Sequence, residues 1–293
     1  MSQAASIVAL ERANAIHSVS VGDWLVLELS GAPHDIDAVV RGQSAGLVVR
    51  PAPPGSPHAC VRLERCEPRE PRWPDRPLTH SIVEWDTPSQ GRAQMQSADA
   101  RIEWNGTADD VLQADLRLDP DDAKAFETSL KLLTVLLGVV VRQRVLVHAS
   151  AVLLDGEAVL FLGESEAGKS TTADRLENEG LTRIADDAVF VELGSDLRVY
   201  PYFGDRACRQ ASDDGWPLAR AFRLEKGAER SHVKAAVSRA LQLWLASLMV
   251  PPGPGSYAIR LVGIASTLAS ARVDTFAAAP GGVLLPALAG AMG

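Results

Sequence analysis

GESEAGKSTT, residues 163–172, matches the pattern G-x-x-x-x-G-K-[ST] without a gap. The apolar run AVLFL, residues 158–162, predicts a strand before it, and TTADRLENEG, residues 171–180, predicts a helix that ends at Gly180. In a strand, loop and helix of this kind, the loop N–H groups and the positive end of the helix dipole face one anion. The stretch therefore predicts a nucleotide-phosphate loop in an α/β (α+β) domain.

The residue types in this loop each have a chemical reason. Gly163 allows a tight turn, and Gly168 allows the backbone to approach phosphate oxygens. Lys169 is expected to reach the β- and γ-phosphates, and the Ser170 hydroxyl to ligate Mg²⁺. Glu166 stands where many such loops carry a third glycine, and its carboxylate near the phosphates predicts modest affinity. The predicted nucleotide-binding residues are Gly163, Glu164, Ser165, Glu166, Ala167, Gly168, Lys169, Ser170 and Thr171.

Composition excludes several classes of protein. A length of 293 residues with 46% hydrophobic residues suits one large or two small globular domains. The net charge of -8, with no Lys/Arg cluster to offset it, argues against a nucleic-acid partner. The N-terminal sequence does not resemble a signal peptide, and the apolar run 132–141 is too short to span a membrane. We therefore expect a cytoplasmic protein with no membrane partner. The 3 cysteines, an odd number, predict no disulfide framework.

The chain divides by pattern near residue 118. Residues 1–118 predict a strand-rich N-terminal portion that serves as a scaffold or recognises a partner, because the portion carries no recognisable chemistry. The predicted strands there are DWLVLELS, AGLVVR, ACVRLER, HSIVEW, ARIEW and VLQADLRL. Residues 119–293 are predicted to form the catalytic domain, which opens with a helix over 119–143.

Polar residues accompany the strands around the loop. VLVHASAVLL, residues 145–154, predicts a strand that carries His148, and Asp155-Gly156 predicts a tight hairpin into the loop strand. His148 is either a hydrogen-bonded histidine of a half-buried strand or part of a site. LTRIA predicts a strand that ends in Asp186-Asp187. Side chains of adjacent strand residues point to opposite sides, so one carboxylate is expected to hold Mg²⁺ and the other to act as a base. An ordinary turn is the alternative.

The rest of the chain carries structural signals. LRVYP predicts a strand that pairs with AVFVE, and residues 202–216 suit an active-site loop or a surface loop equally. Ser231 predicts the N-cap of a helix over 231–249 with Val233, Val237 and Trp244 on its buried face. The remainder predicts a helix, a strand over 272–276 and a final helix.

Residues 145–192, with the preceding VVVRQRV, resemble the catalytic domain of HPr kinase/phosphorylase and, more loosely, the kinases encoded with lasso-peptide clusters. A P-loop, HPr-kinase/PEP-carboxykinase-like fold is what the resemblance implies. By the same resemblance His148 matches the family's active-site histidine, Lys169 its phosphate lysine and Ser170 its Mg²⁺-ligating serine. Asp187 matches the general base, and Asp186 a supporting or metal-side group.

Two loop positions depart from the family pattern. Glu166 replaces a glycine, and Thr171 replaces an acidic residue. No counterpart to the family's metal-binding glutamate segment or to its motif for the reverse reaction is found, and residues 1–118 show no likeness to its N-terminal domain. The resemblance therefore predicts the kinase direction, with an acceptor that need not be HPr.

These observations predict an ATP- and Mg²⁺-dependent, HPr-kinase-like enzyme that phosphorylates a serine hydroxyl of a small protein or peptide. Its predicted catalytic residues are Asp187, His148 and Lys169, and its predicted metal ligands are Ser170 and Asp186. The sequence is compatible with a homo-oligomer. A P-loop NTP hydrolase or small-molecule kinase, and a non-catalytic nucleotide sensor or adaptor, remain alternatives.

Overall fold

The structure is a computed structural model of the 293-residue chain. The described residues are 15–21, 25–33, 36, 49–51, 59–65, 81–87, 90–95, 101–105, 112–118, 135, 138, 143–164, 166–202, 215–226, 231–234, 236–249, 255–269, 273–278 and 283–292. They form a mixed α/β protein with two compact units, Met1–Arg142 with Val250–Ala258, and Gln143–Met249 with Ile259–Gly293. No helix among these residues is long and apolar enough to cross a membrane.

The first unit contains an eight-stranded sheet with the order β3-β1-β2-β4-β8-β7-β6-β5. Its strands are β1 (Ala15–Val21), β2 (Leu25–Gly31), β3 (Val49–Pro51), β4 (Ala59–Arg65), β5 (Ser81–Thr87), β6 (Gln90–Met95), β7 (Arg101–Asn105) and β8 (Leu112–Leu118). On β2 successive side chains alternate between the two faces, so that Leu27 and Leu29 are buried while Val26, Glu28 and Ser30 stay half-buried. β7 and β8, which correspond to the predicted strands ARIEW and VLQADLRL, pair antiparallel.

Residues 119–142, assigned to the catalytic domain from the sequence, are grouped here with the first unit. Within the predicted helix 119–143, Val135 and Gly138 are helical and buried, and Gln143 is not helical. The other residues of that helix lie outside those described. The division of labour between an N-terminal portion and a catalytic domain therefore stays a prediction.

The second unit contains a nine-stranded sheet with the order β12-β10-β11-β15-β14-β13-β9, extended by β17 beside β15 and by β16 beside β17. The strands are β9 (Arg144–Val147), β10 (Ser150–Leu154), β11 (Glu157–Leu162), β12 (Thr182–Ala185), β13 (Val189–Glu192), β14 (Arg198–Pro201), β15 (Trp216–Lys226), β16 (Ser231–Lys234) and β17 (Val273–Ala278). The helices are α1 (Lys169–Asn178), α2 (Val237–Ser247), α3 (Gly255–Leu268), grouped here from Ile259 onward, and α4 (Leu285–Met292). β15 runs parallel to both β11 and β17.

The hairpin that leads into the glycine-rich stretch has the predicted turn. Asp155 and Gly156 have φ values of 52° and 85°, and β10 pairs antiparallel with β11 on either side of them. Two consecutive positive φ values are the signature of a type I′ turn, whose twist matches that of the flanking strands. The turn sets the register that delivers β11 to the glycine-rich stretch.

An aromatic core fixes the position of α1 on the sheet. The ring of Phe222 on β15 lies between Phe161 of β11 and Phe276 of β17, with centroid distances of 6.3 Å and 5.5 Å. Leu176 of α1 and Leu288 of α4 belong to the same buried cluster. Because interiors are close-packed, α1 is held against the strands whose ends form the candidate site.

Two predicted elements are wrong in their extent. VLVHASAVLL forms two strands, because β9 pairs with β13 whereas β10 pairs with β11 and β12, so the chain changes partners at His148. His148 thus lies between strands, not on one. The predicted helix over 231–249 begins only at Val237, because residues 231–234 form β16 and pair with β17. Val237 is 76% exposed, while Trp244 is buried as predicted.

α1 ends close to Gly180, where the sequence predicts the end of the helix. Gly180 has a φ of 102°, its N–H donates to Glu177 O, and Leu181 N–H donates to Leu176 O. This is the Schellman arrangement, which favours glycine in the left-handed conformation. The carboxylate of Glu179 then accepts hydrogen bonds from the backbone N–H groups of Leu284 and Leu285, at 2.6–2.8 Å. Glu179 therefore caps α4 and ties the C-terminal helix to the end of α1.

We expect Glu179→Gln to lower the free energy of unfolding by about 1 kcal/mol, because it weakens a charged cap on orphan N–H groups. Urea denaturation would measure the change. Glu157→Gln, at an exposed position of β11, is the matched control and is expected to have little effect. Equal effects of the two substitutions would contradict the capping role.

Candidate functional site

The sheet of the second unit brings four segments together at one end of its strands. Ser150 at the start of β10 pairs with Phe161 near the end of β11, and Ala151 pairs with Ala185 at the end of β12. Leu162 pairs with Arg223 on β15, which runs parallel to β11. The segments that precede β10, follow β11, follow β12 and end β15 therefore meet. They contain His148, the glycine loop (163–168), Asp186-Asp187 and Arg223–Glu225, in that order.

The glycine loop turns tightly around its own backbone. A side chain at Gly163 would place Cβ 2.8 Å from the Cβ of Ala167, so the chain passes too closely there for any other residue. Ala167 N–H donates to Glu164 O at 3.2 Å, and Gly168 takes the left-handed conformation with a φ of 95° at the N-cap of α1. Ser165 lies outside the described residues. The two glycines thus have the conformational reasons that the sequence predicts.

Lys169 arches back over this loop. Its Nζ donates to the carbonyl oxygens of Gly163 at 2.9 Å and of Glu164 at 3.0 Å, and the residue is only 6% exposed. Burial lowers the pKa of Lys169, and the nearby charge of Asp187 acts in the opposite direction. The lysine therefore holds its ammonium group against the backbone of the loop, and phosphate oxygens could accept from the same group. The geometry fits a phosphate group.

Asp187 and His148 contact one another beside the loop. His148 Nδ1 lies 2.9 Å from the backbone oxygen of Asp187 and 3.2 Å from its Oδ1. Both partners are acceptors, so the contact assigns the proton to Nδ1. The hydrogen bond from His148 lowers the pKa of Asp187; burial opposes the shift, and the positive charges of His148 and Lys169 reinforce it. The 76% exposed carboxylate is therefore ionised at neutral pH and accessible to a substrate.

Asp186 faces a different partner. Its Oδ1 lies 3.8 Å from Arg183 NH1, and the same guanidinium bonds to Asp174 and Glu177 of α1. The prediction that the two aspartates leave a strand in opposite directions is wrong, because both lie in the bend after β12. Their surroundings nevertheless differ. Asp187 lies near His148 and Lys169. Asp186 lies near Arg183, and Arg183 in turn contacts α1.

The predicted Mg²⁺ ligands, Ser170 and Asp186, lie on different elements, the first turn of α1 and the bend after β12. Ser170 and Thr171 are exposed on the first turn of α1. In the part of the chain that the structure describes, no group of three or more His, Cys, Asp or Glu side chains forms a metal site. Mg²⁺ commonly takes one or two protein ligands and completes its octahedron with water and phosphate oxygens. The assignment of Ser170 and Asp186 to a metal stays a prediction from the sequence.

Glu166 adopts a conformation that glycine prefers. Its φ is 64°, and it is one of three non-glycine residues with positive φ among those described. The left-handed region costs an L-residue with a side chain about 1–2 kcal/mol. The sequence identifies this position as one where glycine is usual, and the backbone gives the reason. The carboxylate also adds a negative charge to the loop.

Glu166→Gly is expected to tighten binding of Mg²⁺–ATP about fivefold, because one unit charge within about 4 Å of another costs about 1 kcal/mol in water. Calorimetry would measure the dissociation constants of the wild type, Glu166→Gly and Glu166→Gln. Glutamine removes the negative charge but still has a side chain in the left-handed conformation. An equal increase in affinity for both variants would therefore assign the effect to the charge. A wild-type affinity in both variants would contradict the expectation.

A cavity of about 610 Å³ adjoins the glycine loop. The loop contributes Gly163, Glu164, Glu166 and Ala167, the end of β15 contributes Arg223, Leu224 and Glu225, and α2 contributes Arg239, Gln242, Leu243, Ala246 and Ser247. Arg223 NH1 bonds to Glu225 Oε1 at 2.8 Å. Sequence reasoning missed the residues from β15 and α2. The run WPLARAFRLEK does carry a strand signal in its recurring apolar residues, and recognising it would have placed Arg223 beside the loop.

The comparisons with known proteins add little to this geometry. No protein-family model matches the chain, and none of the curated proteins matches it. One solved structure with partial similarity is the HPr(Ser) kinase/phosphatase from Coxiella burnetii, at 15% sequence identity and a TM-score of 0.25. The similarity covers 41% of this chain and 92% of that chain. At this identity and TM-score it carries no argument about the chain.

Proposed function

We propose that the chain is an ATP- and Mg²⁺-dependent, HPr-kinase-like enzyme that phosphorylates a serine hydroxyl of a small protein or peptide. The observation that carries the proposal is the position of Asp187. Its carboxylate is ionised and exposed, is oriented by His148, and lies close enough to Lys169 for each to shift the pKa of the other. A carboxylate beside a phosphate loop is the arrangement that directs a hydroxyl toward a γ-phosphate.

The remaining residues have supporting roles in this proposal. The backbone of the glycine loop and Lys169 hold the phosphates, with Ser165 as part of the loop sequence. Ser170 and Asp186 would hold Mg²⁺, directly or through water. When bound, the metal neutralises part of the phosphate charge. The P-loop character of the fold, ATP as the nucleotide and a cytoplasmic location belong to the same proposal.

The proposed reaction forms one bond and breaks one bond. The serine oxygen attacks the γ-phosphorus, its proton passes to the Asp187 carboxylate, and the bond to the β-phosphate oxygen breaks, so that ADP leaves. His148 donates from Nδ1 to Asp187 and fixes the carboxylate toward the acceptor. His148 acts as a positioning residue, because its contact is with Asp187.

Incubation with γ-labelled ATP tests the proposal. The wild-type chain would be assayed alone and with serine-bearing peptides, with a Ser→Ala version of each peptide as the matched control. Transfer of label to the serine peptide only is the expected result. Steady phosphate release without transfer would identify a hydrolase instead, and neither release nor transfer would identify a nucleotide sensor or adaptor. The exposure of Asp187 makes the hydrolysis control necessary, because water also reaches the carboxylate.

The acceptor is proposed to be recognised by residues 1–118, since the described residues there show no catalytic cluster. We therefore expect a chain that starts near Asp119 to lose affinity for its acceptor, seen as a higher KM for the acceptor. An unchanged KM with a folded fragment would overturn this division of roles. The proposal includes no nucleic-acid or membrane partner, and it is compatible with a homo-oligomer.

A further inference from the structure

One wall of the cavity beside the glycine loop, at the end of β15, lies across β11 from the proposed base. In the sheet order β12-β10-β11-β15, the loop follows β11. His148 and Asp187 lie next to β10 and β12, on one side of the loop, and Arg223 and Glu225 lie on β15, on the other side. Lys169, Ser170 and Asp187 are absent from the described residues that line the cavity. The cavity therefore adjoins the glycine loop, but the described residues that line it do not include the side chains proposed to act on the γ-phosphate.

In-line phosphoryl transfer fixes which part of the nucleotide reaches the cavity. The attacking oxygen and the leaving β-phosphate oxygen lie on opposite sides of the γ-phosphorus. If Asp187 receives the proton of the attacking oxygen, the β-phosphate, the α-phosphate and the nucleoside extend away from Asp187. Because the end of β15 lies across β11 from Asp187, it is on the side toward which these groups would extend.

The position of α2 relative to the loop is set by backbone hydrogen bonds. His148 N–H donates to Ser247 O at 2.7 Å, and Met249 N–H donates to Leu146 O at 2.9 Å. The C-terminal end of α2 is thereby attached to the β9–β10 break. Gln242 and Leu243, one turn earlier, form a wall of the cavity. The cavity is thus a built feature of this unit.

The lining suits an uncharged group better than a phosphate. It holds three carboxylates, on Glu164, Glu166 and Glu225, against two guanidinium groups, on Arg223 and Arg239, and Arg223 is paired with Glu225. The net charge of these side chains is negative, which favours an uncharged group over further phosphates. A volume of about 610 Å³ lies within the range of small-molecule sites. We infer that this cavity binds the base and ribose of the nucleoside triphosphate, an inference that rests on the proposed function.

The chemistry of each wall matches part of a nucleoside. Gln242 offers a donor and an acceptor to the edge of a base, and the carboxylate of Glu225 accepts from ribose hydroxyls. The guanidinium of Arg239 and the side chain of Leu243 offer a planar cation and an apolar surface to the faces of the base. The side chains that select a nucleotide are therefore on α2 and β15, outside the glycine loop.

The test compares ATP with inorganic tripolyphosphate, each with Mg²⁺, by calorimetry on the full chain. Gln242→Leu is expected to weaken ATP binding about three- to tenfold, as for a lost hydrogen bond, and to leave tripolyphosphate binding unchanged. Ala246→Phe fills the same cavity and is expected to weaken ATP binding about tenfold, again without a change for tripolyphosphate. Ser238→Leu, at an exposed position of α2 outside the lining, is the matched control and should bind ATP as the wild type does.

The outcomes separate this inference from the proposed function. If tripolyphosphate binds as tightly as ATP, or if Gln242→Leu and Ala246→Phe leave ATP affinity unchanged, the cavity does not hold the nucleoside. If these variants raise the KM of an acceptor peptide and not the dissociation constant of ATP, the cavity is an acceptor site and the inference is wrong. If ATP and tripolyphosphate both fail to bind the wild type, the phosphate loop itself is wrong and the inference falls with it. If ATP binds in the expected way without any transfer to serine, only the proposed kinase activity fails.

Discussion

Asp187→Asn is expected to reduce kcat for phosphoryl transfer by about 10²- to 10⁴-fold, the usual contribution of a general base. Asparagine keeps the shape of the side chain and an oxygen that can accept the hydrogen bond from His148 Nδ1, but it cannot take up a proton. The lowered pKa of Asp187 means that the wild-type residue is ionised at neutral pH and ready to accept one. The dissociation constant of Mg²⁺–ATP should stay within a few-fold of the wild type, because the lost interaction forms mainly in the transition state.

Asp186→Asn is the matched control for this prediction. It makes the same chemical change one residue away, at a carboxylate that adjoins Arg183 and not His148. We expect it to weaken binding of Mg²⁺–nucleotide, with the smaller effect on kcat. Single-turnover kinetics would separate the two quantities. Transfer at the wild-type rate by Asp187→Asn would rule out the proposed mechanism, whatever the glycine loop binds.

The parts of the fold that the sequence predicts correctly depend on neighbours in the chain. The Asp155-Gly156 turn, the glycine loop and the end of α1 at Gly180 each require a positive φ that a short pattern reveals. The strand that ends before Asp186 is equally local, since an apolar run followed by two carboxylates marks its limit. In these segments the local conformational preference agrees with the final structure, so the sequence of the segment is enough to predict its conformation.

The parts that it predicts wrongly depend on partners far along the chain. Residues 145–154 look like one strand, but β9 and β10 pair with different strands. His148 therefore lies between the end of β9 and the start of β10. Residues 231–234 look like the start of a helix, but pairing with β17 makes them a strand. The cavity was missed for the same reason, because Arg223 and Gln242 reach the loop only through the parallel pairing of β15 and the attachment of α2.

Lys169→Met is expected to weaken binding of Mg²⁺–ATP about 10²- to 10³-fold, since removing one partner of a buried charged contact costs about 2–5 kcal/mol. Methionine retains an unbranched side chain of similar length and removes only the ammonium group, which in this structure donates to the carbonyl oxygens of Gly163 and Glu164. Inorganic tripolyphosphate should lose affinity to the same degree, because the lysine acts on the phosphates and not on the nucleoside. This common loss contrasts with the loss confined to ATP that is expected when the cavity is altered.

Lys234→Met changes a lysine of β16, a strand that pairs with β17 and not with β11, and should bind Mg²⁺–ATP as the wild type does. Urea denaturation of both variants would show whether a loss of binding reflects a loss of folded protein. Because Lys169 is buried, its replacement is expected to change the free energy of unfolding. Burial disfavours the charged amine. If the ammonium group serves binding, the Lys169→Met variant should therefore be at least as stable as the wild type. Wild-type affinity for Mg²⁺–ATP in Lys169→Met would show that residues 163–172 do not form a phosphate loop, despite their sequence.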